Sequence, residues 1–189
     1  MDTQDSKKKI NLLNLLYEHC AQHGMSQLQS ISSIARILDI KRSLFYFYFK
    51  DLESCLSDLL NHHKHKADVA FKDVLQKELT FLGYVHYMID IKEIYFFSMQ
   101  CVRYQSQHSS FLECLEYSLK TLDDYNCKQF IIHYQLDQYP VESMQFMYAS
   151  FREYWWTHSG EYESWTHSKI DQLVHHVDEL VEILKSNQR

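Results

Sequence analysis

Apolar residues recur through this chain at three- and four-residue spacing, which is the period of a helix with one buried face. The first such stripe predicts a helix from Ser6 to His23. Gly24 should end it, because a left-handed residue is favoured just after a helix. The chain has 3 glycines and 1 proline, whereas sheets with tight hairpins need more turn residues. The pattern therefore predicts an all-α fold with short connections.

Two short helices are predicted next, in close succession. Ser30 is a favourable N-cap for the first, which should bury Ile34 and Ala35. A turn at Asp39-Ile40 leads to the second, from Lys41 to Phe47. Two short helices joined by so brief a turn are the plan of a helix-turn-helix.

Longer helices are predicted in the rest of the chain. Asp51 can cap a long fourth helix, in which the polar segment His62–Lys66 is expected to be solvated. Leu79–Tyr104 is rich in Phe, Tyr, Ile and Met, and predicts two short helices that lie largely inside a body. The last two helices should follow Pro140 and the break at Ser159-Gly160.

The last two predicted helices carry apolar stripes with near-heptad spacing, which is typical of helices that pair. We expect them to pair with their copies in a homodimer, through Val141, Met144, Tyr148, Ile170, Leu173, Val177, Val181 and Leu184. The alternative is that both stripes face the core of their own chain.

Charge is distributed unevenly along the chain. Residues 1–50 hold seven Lys or Arg and four Asp or Glu, which gives a net charge of +3. The net charge of the whole chain is −6, so residues 51–189 carry −9. A basic segment on an acidic body concentrates the attraction for phosphate at one end. We therefore predict a DNA-binding domain at residues 1–50 and a larger helical domain at residues 51–189.

A helix-turn-helix buries one side of its last helix and presents the other side to DNA. The residues predicted to face double-stranded DNA are Ser30, Ser33, Lys41, Arg42, Ser43, Tyr46, Phe47 and Lys50. Arg42 can bind guanine with two hydrogen bonds, and Ser43 can contact a base edge. Lys41, Tyr46 and Lys50 are suited to phosphates, which fix register more than sequence.

The run from Ile34 to Leu56 resembles the DNA-binding head of the tetracycline-repressor (TetR) family of transcriptional regulators. That family's pattern, Ile-Ala-x3-Gly-Val-Ser-x3-Leu-Tyr-x-His/Tyr-Phe, aligns without gaps from Ile34-Ala35 to Tyr48-Phe49. The resemblance covers residues from about 10 to 60. The chain departs from the pattern at three positions, where the turn glycine, the capping serine and a later lysine are replaced by Asp39, Lys41 and Leu52.

The resemblance implies about nine helices, a head of three helices, and a ligand-responsive repressor that binds a palindromic operator as a homodimer. It also implies a small lipophilic or aromatic effector in the body, for which the candidate contacts are Tyr84, Tyr87, Tyr95, Arg103, Tyr104, Phe111, Tyr117, Phe151 and Trp155. Arg103 can pair with a carboxylate of such an effector. The alternatives are a surface or ion-paired arginine, and aromatic residues that form an ordinary bulky core.

Other functional classes lack support in the sequence. The chain has no phosphate loop, no Gly-rich dinucleotide turn, no HExxH and no CxxC, so we expect neither an enzyme nor a cofactor. The pairs His19/His23 and His62/His65 lack a nearby third ligand, so no metal is expected. Five cysteines without paired spacing, and no long apolar run, indicate a cytoplasmic protein without a membrane segment.

Two other functions remain open at this point. The first is an effector-independent DNA-binding activator or nucleoid factor, which shares the head but needs no cavity. The second is a dimeric interaction scaffold that has lost DNA binding. A protected palindrome with half-sites about one helical turn apart would separate a regulator from a scaffold.

Overall fold

The computed structural model describes residues 3–106 and 109–186, apart from the side chains of Thr3 and residues 118–122. Within these ranges every regular element is a helix, and no helix combines the length and apolar character that crossing a membrane requires. The helices are α1 (Thr3–His23), α2 (Ile31–Ile37), α3 (Arg42–Tyr48), α4 (Leu52–Gln76), α5 (Phe81–Tyr87), α6 (Lys92–Tyr104), α7 (Ser109–His133), α8 (Val141–His158), a 3₁₀ helix (Tyr162–Ser164) and α9 (His167–Ser186). The predicted all-α fold of about nine helices is confirmed.

The chain divides into two compact units. Unit 1 comprises Met1–Ala70 and Glu93–Leu119, and unit 2 comprises Phe71–Lys92 and Lys120–Arg189. The boundary predicted after residue 50 separates a DNA-binding head from a body by function, and it stays a prediction.

Local capping chemistry sets two helix ends in unit 1 as predicted. Gly24 has φ 85° and donates its N–H to the carbonyl oxygen of Cys20 at 3.0 Å, which ends α1. This left-handed backbone conformation favours glycine because a Cβ atom would be strained there. The Asp51 carboxylate accepts a hydrogen bond from the Ser54 N–H at 2.8 Å, just before α4 begins. The start of α1 was predicted at Ser6, and the helix begins at Thr3.

The core of unit 1 is built from α1, α4 and α6. The Tyr17 ring of α1 is fully buried and stacks on Phe97 of α6, with 4.3 Å between ring centroids. His63 of α4 stacks on the same Phe97 ring at 4.8 Å. Leu16 and Leu59 are buried beside the rings on their respective helices. The three helices are thus joined by aromatic stacking as well as by aliphatic packing.

The expectation that His62–Lys66 is solvated is wrong at His63. This side chain is 1% exposed, and its Nδ1 and Nε2 lie 2.8 Å from the Tyr17 hydroxyl and 3.2 Å from the Ser98 hydroxyl. A histidine can be buried here because both ring nitrogens have hydrogen-bond partners. Burial lowers the pKa of His63 to about 3, so the imidazole is neutral at neutral pH.

The core of unit 2 centres on α9, which packs against α8 and α5. The apolar stripe of α9 is at most 2% exposed and consists of Ile170, Leu173, Val177 and Val181. Aromatic rings fill much of the remaining interior. Phe130 lies 5.5 Å from Phe81 and 5.1 Å from Phe151 between ring centroids.

The three tryptophans of the chain all belong to unit 2. Trp155 and Trp165 are buried, with their ring centroids 6.4 Å apart, and Trp156 is half-buried. The Trp165 indole N–H donates to the carbonyl oxygen of Ser159 at 2.7 Å. This bond fastens the segment between α8 and α9, at the break predicted from Ser159-Gly160.

Candidate nucleic-acid interface

A capping box fixes the start of α2. The Ser30 hydroxyl oxygen accepts a hydrogen bond from the Ser33 N–H at 3.1 Å, and the Ser33 hydroxyl oxygen accepts one from the Ser30 N–H at 2.9 Å. The Ser33 hydroxyl also donates to the Ser30 carbonyl oxygen at 2.8 Å. These bonds satisfy N–H groups that the first turn of a helix leaves unpaired. The predicted cap is confirmed, and both hydroxyls are engaged in it.

The turn between α2 and α3 depends on a left-handed residue. Asp39 has φ 51°, and the Ile40 N–H donates to the carbonyl oxygen of Ala35 at 2.9 Å. Aspartate tolerates this conformation better than most residues, so the turn survives without the glycine of the family pattern. Ala35 is 4% exposed, and its small side chain permits the close crossing of the two helices.

The third helix is one residue displaced from the predicted Lys41–Phe47. Lys41 is its N-cap, with no side-chain hydrogen bond in that position, and the helix runs from Arg42 to Tyr48. Phe45 and Phe49 are 0% and 1% exposed, so they fix which side of α3 is turned into unit 1. The Lys9 ammonium lies 5.4 Å from the centre of the Phe49 ring, which ties α1 to the end of α3.

The opposite side of α3 is open to solvent. Its exposed residues, with those that flank the helix, are Lys41, Arg42, Ser43, Leu44, Tyr46, Phe47 and Lys50. The structure therefore brings six of the eight predicted DNA contacts onto one exposed stretch, and places the other two, Ser30 and Ser33, in the capping box of α2. Positive side chains and exposed ring edges together suit phosphates and base edges.

Two residues on this surface were missed at the sequence level. Leu44 is 38% exposed, whereas an apolar residue in a short helix is more readily assigned to the core. Ser32, in the first turn of α2, lowers the pKa of the Tyr46 phenol across the helix pair. The alternation of buried and exposed positions around Phe45 could have revealed Leu44, but no local signal points to Ser32.

Arg42 and Tyr46 form a pair on the flank of α3. The Arg42 Nη2 donates to the Tyr46 hydroxyl oxygen at 3.2 Å, and the guanidinium carbon lies 5.2 Å from the centre of the Tyr46 ring. The hydrogen bond from Arg42 lowers the pKa of the Tyr46 phenol, and Ser32 acts in the same direction. The guanidinium is thus held at the surface with donors still free to meet an acceptor.

The residues predicted to contact an effector are divided between the two units. Tyr95, Arg103, Tyr104, Phe111 and Tyr117 belong to unit 1, and Tyr84, Tyr87, Phe151 and Trp155 belong to unit 2. Arg103 and Tyr117 are exposed, whereas Tyr84, Phe111 and Trp155 are buried. In unit 2, Phe151 lies 5.3 Å from Phe81 and 5.7 Å from Trp155 between ring centroids. Such contacts are those of the ordinary bulky core considered as the alternative.

The residues predicted for a dimer interface are mostly enclosed by their own chain. Ile170, Leu173, Val177, Val181 and Tyr148 are buried within unit 2, Met144 and Leu184 are half-buried, and Val141 is 57% exposed. The Tyr148 hydroxyl donates to the Asp123 carboxylate at 2.7 Å, so the polar end of Tyr148 is also bound within unit 2. The buried part of the stripe thus faces the core, as in the alternative reading of the pattern, and dimerisation itself stays a prediction.

The fold is similar to that of a transcriptional regulator from Cytophaga hutchinsonii ATCC 33406, known from a crystal structure. The TM-score is 0.55, the similarity covers 96% of this chain and 99% of that chain, and 11% of the residues are identical. No family model matches this chain. No curated protein matches it in sequence either. At this level of identity the similarity shows a shared fold.

Proposed function

We propose that this chain is a non-enzymatic transcriptional regulator that places α3 in the major groove of double-stranded DNA. The observation that carries the proposal is the α2–α3 pair: a capped first helix, a turn closed at Asp39, and a second helix with one buried and one open side. The major groove is about 12 Å wide and admits an α-helix. The shared fold with a solved transcriptional regulator agrees with this proposal.

The exposed cations on α3 and at its two ends have different roles in this proposal. Arg42 contacts a base edge, because its guanidinium matches the two acceptors of guanine. Lys41 and Lys50 lie at the two ends of α3 and contact phosphates. Phosphate contacts release counterions, so they set the salt dependence of binding.

A footprint on the DNA upstream of the protein's own gene, followed by anisotropy titrations at several salt concentrations, tests the proposal. We expect Arg42→Ala to weaken binding by about 1–3 kcal/mol and to relax preference at one or two base pairs. Lys50→Ala should weaken binding to all sequences alike and reduce the salt slope by about 1. Lys72→Ala, an exposed lysine on the unit 2 portion of α4, is the matched control and should leave binding unchanged. Binding that neither Arg42→Ala nor Lys50→Ala affects would show that the head is wrongly assigned.

The finer form of the proposal is a homodimer on a palindromic operator. One helix-turn-helix reads one half-site, so a palindrome requires two copies. In the described parts of α8 and α9, the large apolar side chains left exposed are Val141, Phe146 and Ile183, at 57%, 58% and 56%. Light scattering should give a dimer for the wild type and a monomer for the Phe146→Asp/Ile183→Asp double variant. Val69→Asp, at an equally exposed apolar position on α4, should stay dimeric. A monomeric wild type would overturn this form of the proposal.

We further propose that a small lipophilic or aromatic effector relieves repression. The Trp155 indole N–H is buried and has no hydrogen-bond partner among the described residues, so it can donate to a ligand acceptor. Fractions of cell extract that release the protein from its operator would identify such a compound. If the compound accepts a hydrogen bond from this indole, Trp155→Phe should require more of it for release. Equal release from wild type and variant would remove Trp155 from the effector site.

A further inference from the structure

The open side of α3 is centred on an aromatic ring. Successive residues of an α-helix are rotated by about 100°, so the buried Phe45 and Phe49 direct Ser43 and Phe47 away from the core. Phe47 is 69% exposed, the highest value among the large hydrophobic side chains that the structure describes. An aromatic ring held in water at this position gains stability when a partner covers it.

Exposed cations lie on the same stretch of chain as Phe47, and they indicate which partner covers its ring. Lys41 and Lys50 are exposed at the two ends of α3, and Arg42 is exposed on its flank. In the major groove, thymine methyl groups lie between two rows of phosphates. An apolar ring with cations on either side along the chain complements thymine methyl groups between phosphates. An apolar peptide would leave the cations without a partner of opposite charge.

We infer that Phe47 is the residue that selects thymine in the operator, by packing its ring against the thymine C5 methyl group. This inference rests on the proposed DNA-binding function and deepens it, since it states the base chemistry that the operator must offer. Ser43 lies on the same side of the helix one turn earlier, but a hydroxyl offers little apolar area. The preference for the methyl group therefore belongs to Phe47.

Tyr46 has a second, separable task as the positioning residue of Arg42. Its hydroxyl oxygen accepts from the Arg42 Nη2 at 3.2 Å, and the guanidinium carbon lies 5.2 Å from the centre of its ring. The guanidinium is therefore confined to one flank of α3 before DNA binds, which lowers the ordering cost of a contact with guanine. The half-site that follows from this geometry has a thymine opposite the centre of α3 and a guanine on the flank of Arg42.

Selection of binding sites from a random duplex pool with the wild-type protein is the first step of the test. Each thymine of the selected half-site is then replaced by uracil, which lacks the C5 methyl group. We expect one replacement to weaken wild-type binding about fourfold, the equivalent of one buried methyl group. The same replacement should not weaken binding by Phe47→Ala, whereas Ser43→Ala should keep the fourfold effect.

A parallel set of duplexes tests the positioning of Arg42. Replacing guanine by 7-deazaguanine removes the N7 acceptor, and at one guanine per half-site it should weaken wild-type binding roughly fivefold or more. For Tyr46→Phe this loss should shrink while the uracil effect and the helical circular dichroism stay as in the wild type. A structural role of Tyr46 alone would instead change both effects together.

The outcomes separate the inference from the function on which it rests. A pool that shows no enrichment overturns the DNA-binding function and the inference together, and is the result expected if α3 binds another protein. An enriched site at which no thymine methyl group depends on Phe47 overturns the inference and leaves the function standing. An unchanged 7-deazaguanine effect in Tyr46→Phe overturns the positioning task alone.

Discussion

Protonation of His63 should destabilise unit 1 in mild acid. The Ser98 hydroxyl donates to the Ile94 carbonyl oxygen at 2.9 Å, so at 3.2 Å it accepts the proton of His63 Nε2. Nδ1 therefore accepts the Tyr17 hydroxyl proton at 2.8 Å. A second proton on the ring would displace that bond and place a charge among stacked aromatic rings.

The magnitude follows from the two pKa values of His63. Burial lowers the folded-state pKa to about 3, against the ordinary histidine pKa of 6.5 that applies to the unfolded chain. The unfolded chain therefore binds the proton first as the pH falls, so the contribution to stability is complete above pH 6.5 and is lost progressively between 6.5 and about 3. Between pH 7 and pH 5 the loss amounts to about 2 kcal/mol.

Urea unfolding followed by far-ultraviolet circular dichroism at pH 7, 6 and 5 measures this loss. His63→Gln keeps hydrogen-bonding groups but does not titrate, so it should lose about 2 kcal/mol less than the wild type over this range. His65→Gln, on the exposed side of α4, controls for the removal of a histidine and should follow the wild type. If His63→Gln and the wild type lose the same stability, the buried neutral imidazole is not the acid-sensitive group.

Three further predictions concern the local structure of the helix-turn-helix, each measured as a shift in the urea midpoint at neutral pH. Asp39→Ala should destabilise by about 1 kcal/mol because of the left-handed backbone, whereas Asp39→Gly should not, and equal effects would contradict the strain argument. Ser30→Ala should cost about 1 kcal/mol through loss of the capping box, with Ser57→Ala on the exposed side of α4 as a control that changes little. Ala35→Leu should destabilise by about 1–3 kcal/mol because the crossing of α2 and α3 has no space for the larger side chain, and a neutral result would show a looser crossing.

Features that depend on neighbours in sequence could be predicted from the sequence. The caps at Ser30 and Asp51, the stop at Gly24 and the left-handed turn at Asp39 each involve residues within a few positions of one another. Their chemistry is local, so a single sequence contains it. These features were enough to locate the helix pair that forms the candidate interface.

Features that depend on distant partners could not be predicted. His63 is separated from Tyr17 by 46 residues and from Ser98 by 35, and the polar residues beside it gave no sign of burial. The stripe on α9 presents a similar problem, because the same spacing serves a dimer interface and a core. Only the packing of α8 and α5 against α9 shows which surface covers Ile170 and Val177.

Because all three tryptophans lie in unit 2, the tryptophan fluorescence of the protein comes from that unit alone. Trp155, Trp156 and Trp165 emit from unit 2, while the helix pair that faces DNA in our proposal contains no tryptophan. Tryptophan fluorescence, excited selectively, should therefore not change when an event is confined to α3. A change in this fluorescence during a DNA titration would indicate a response in unit 2. Phe47→Trp would add an emitter on the open side of α3, so the difference between the variant and wild-type signals would report the event at α3.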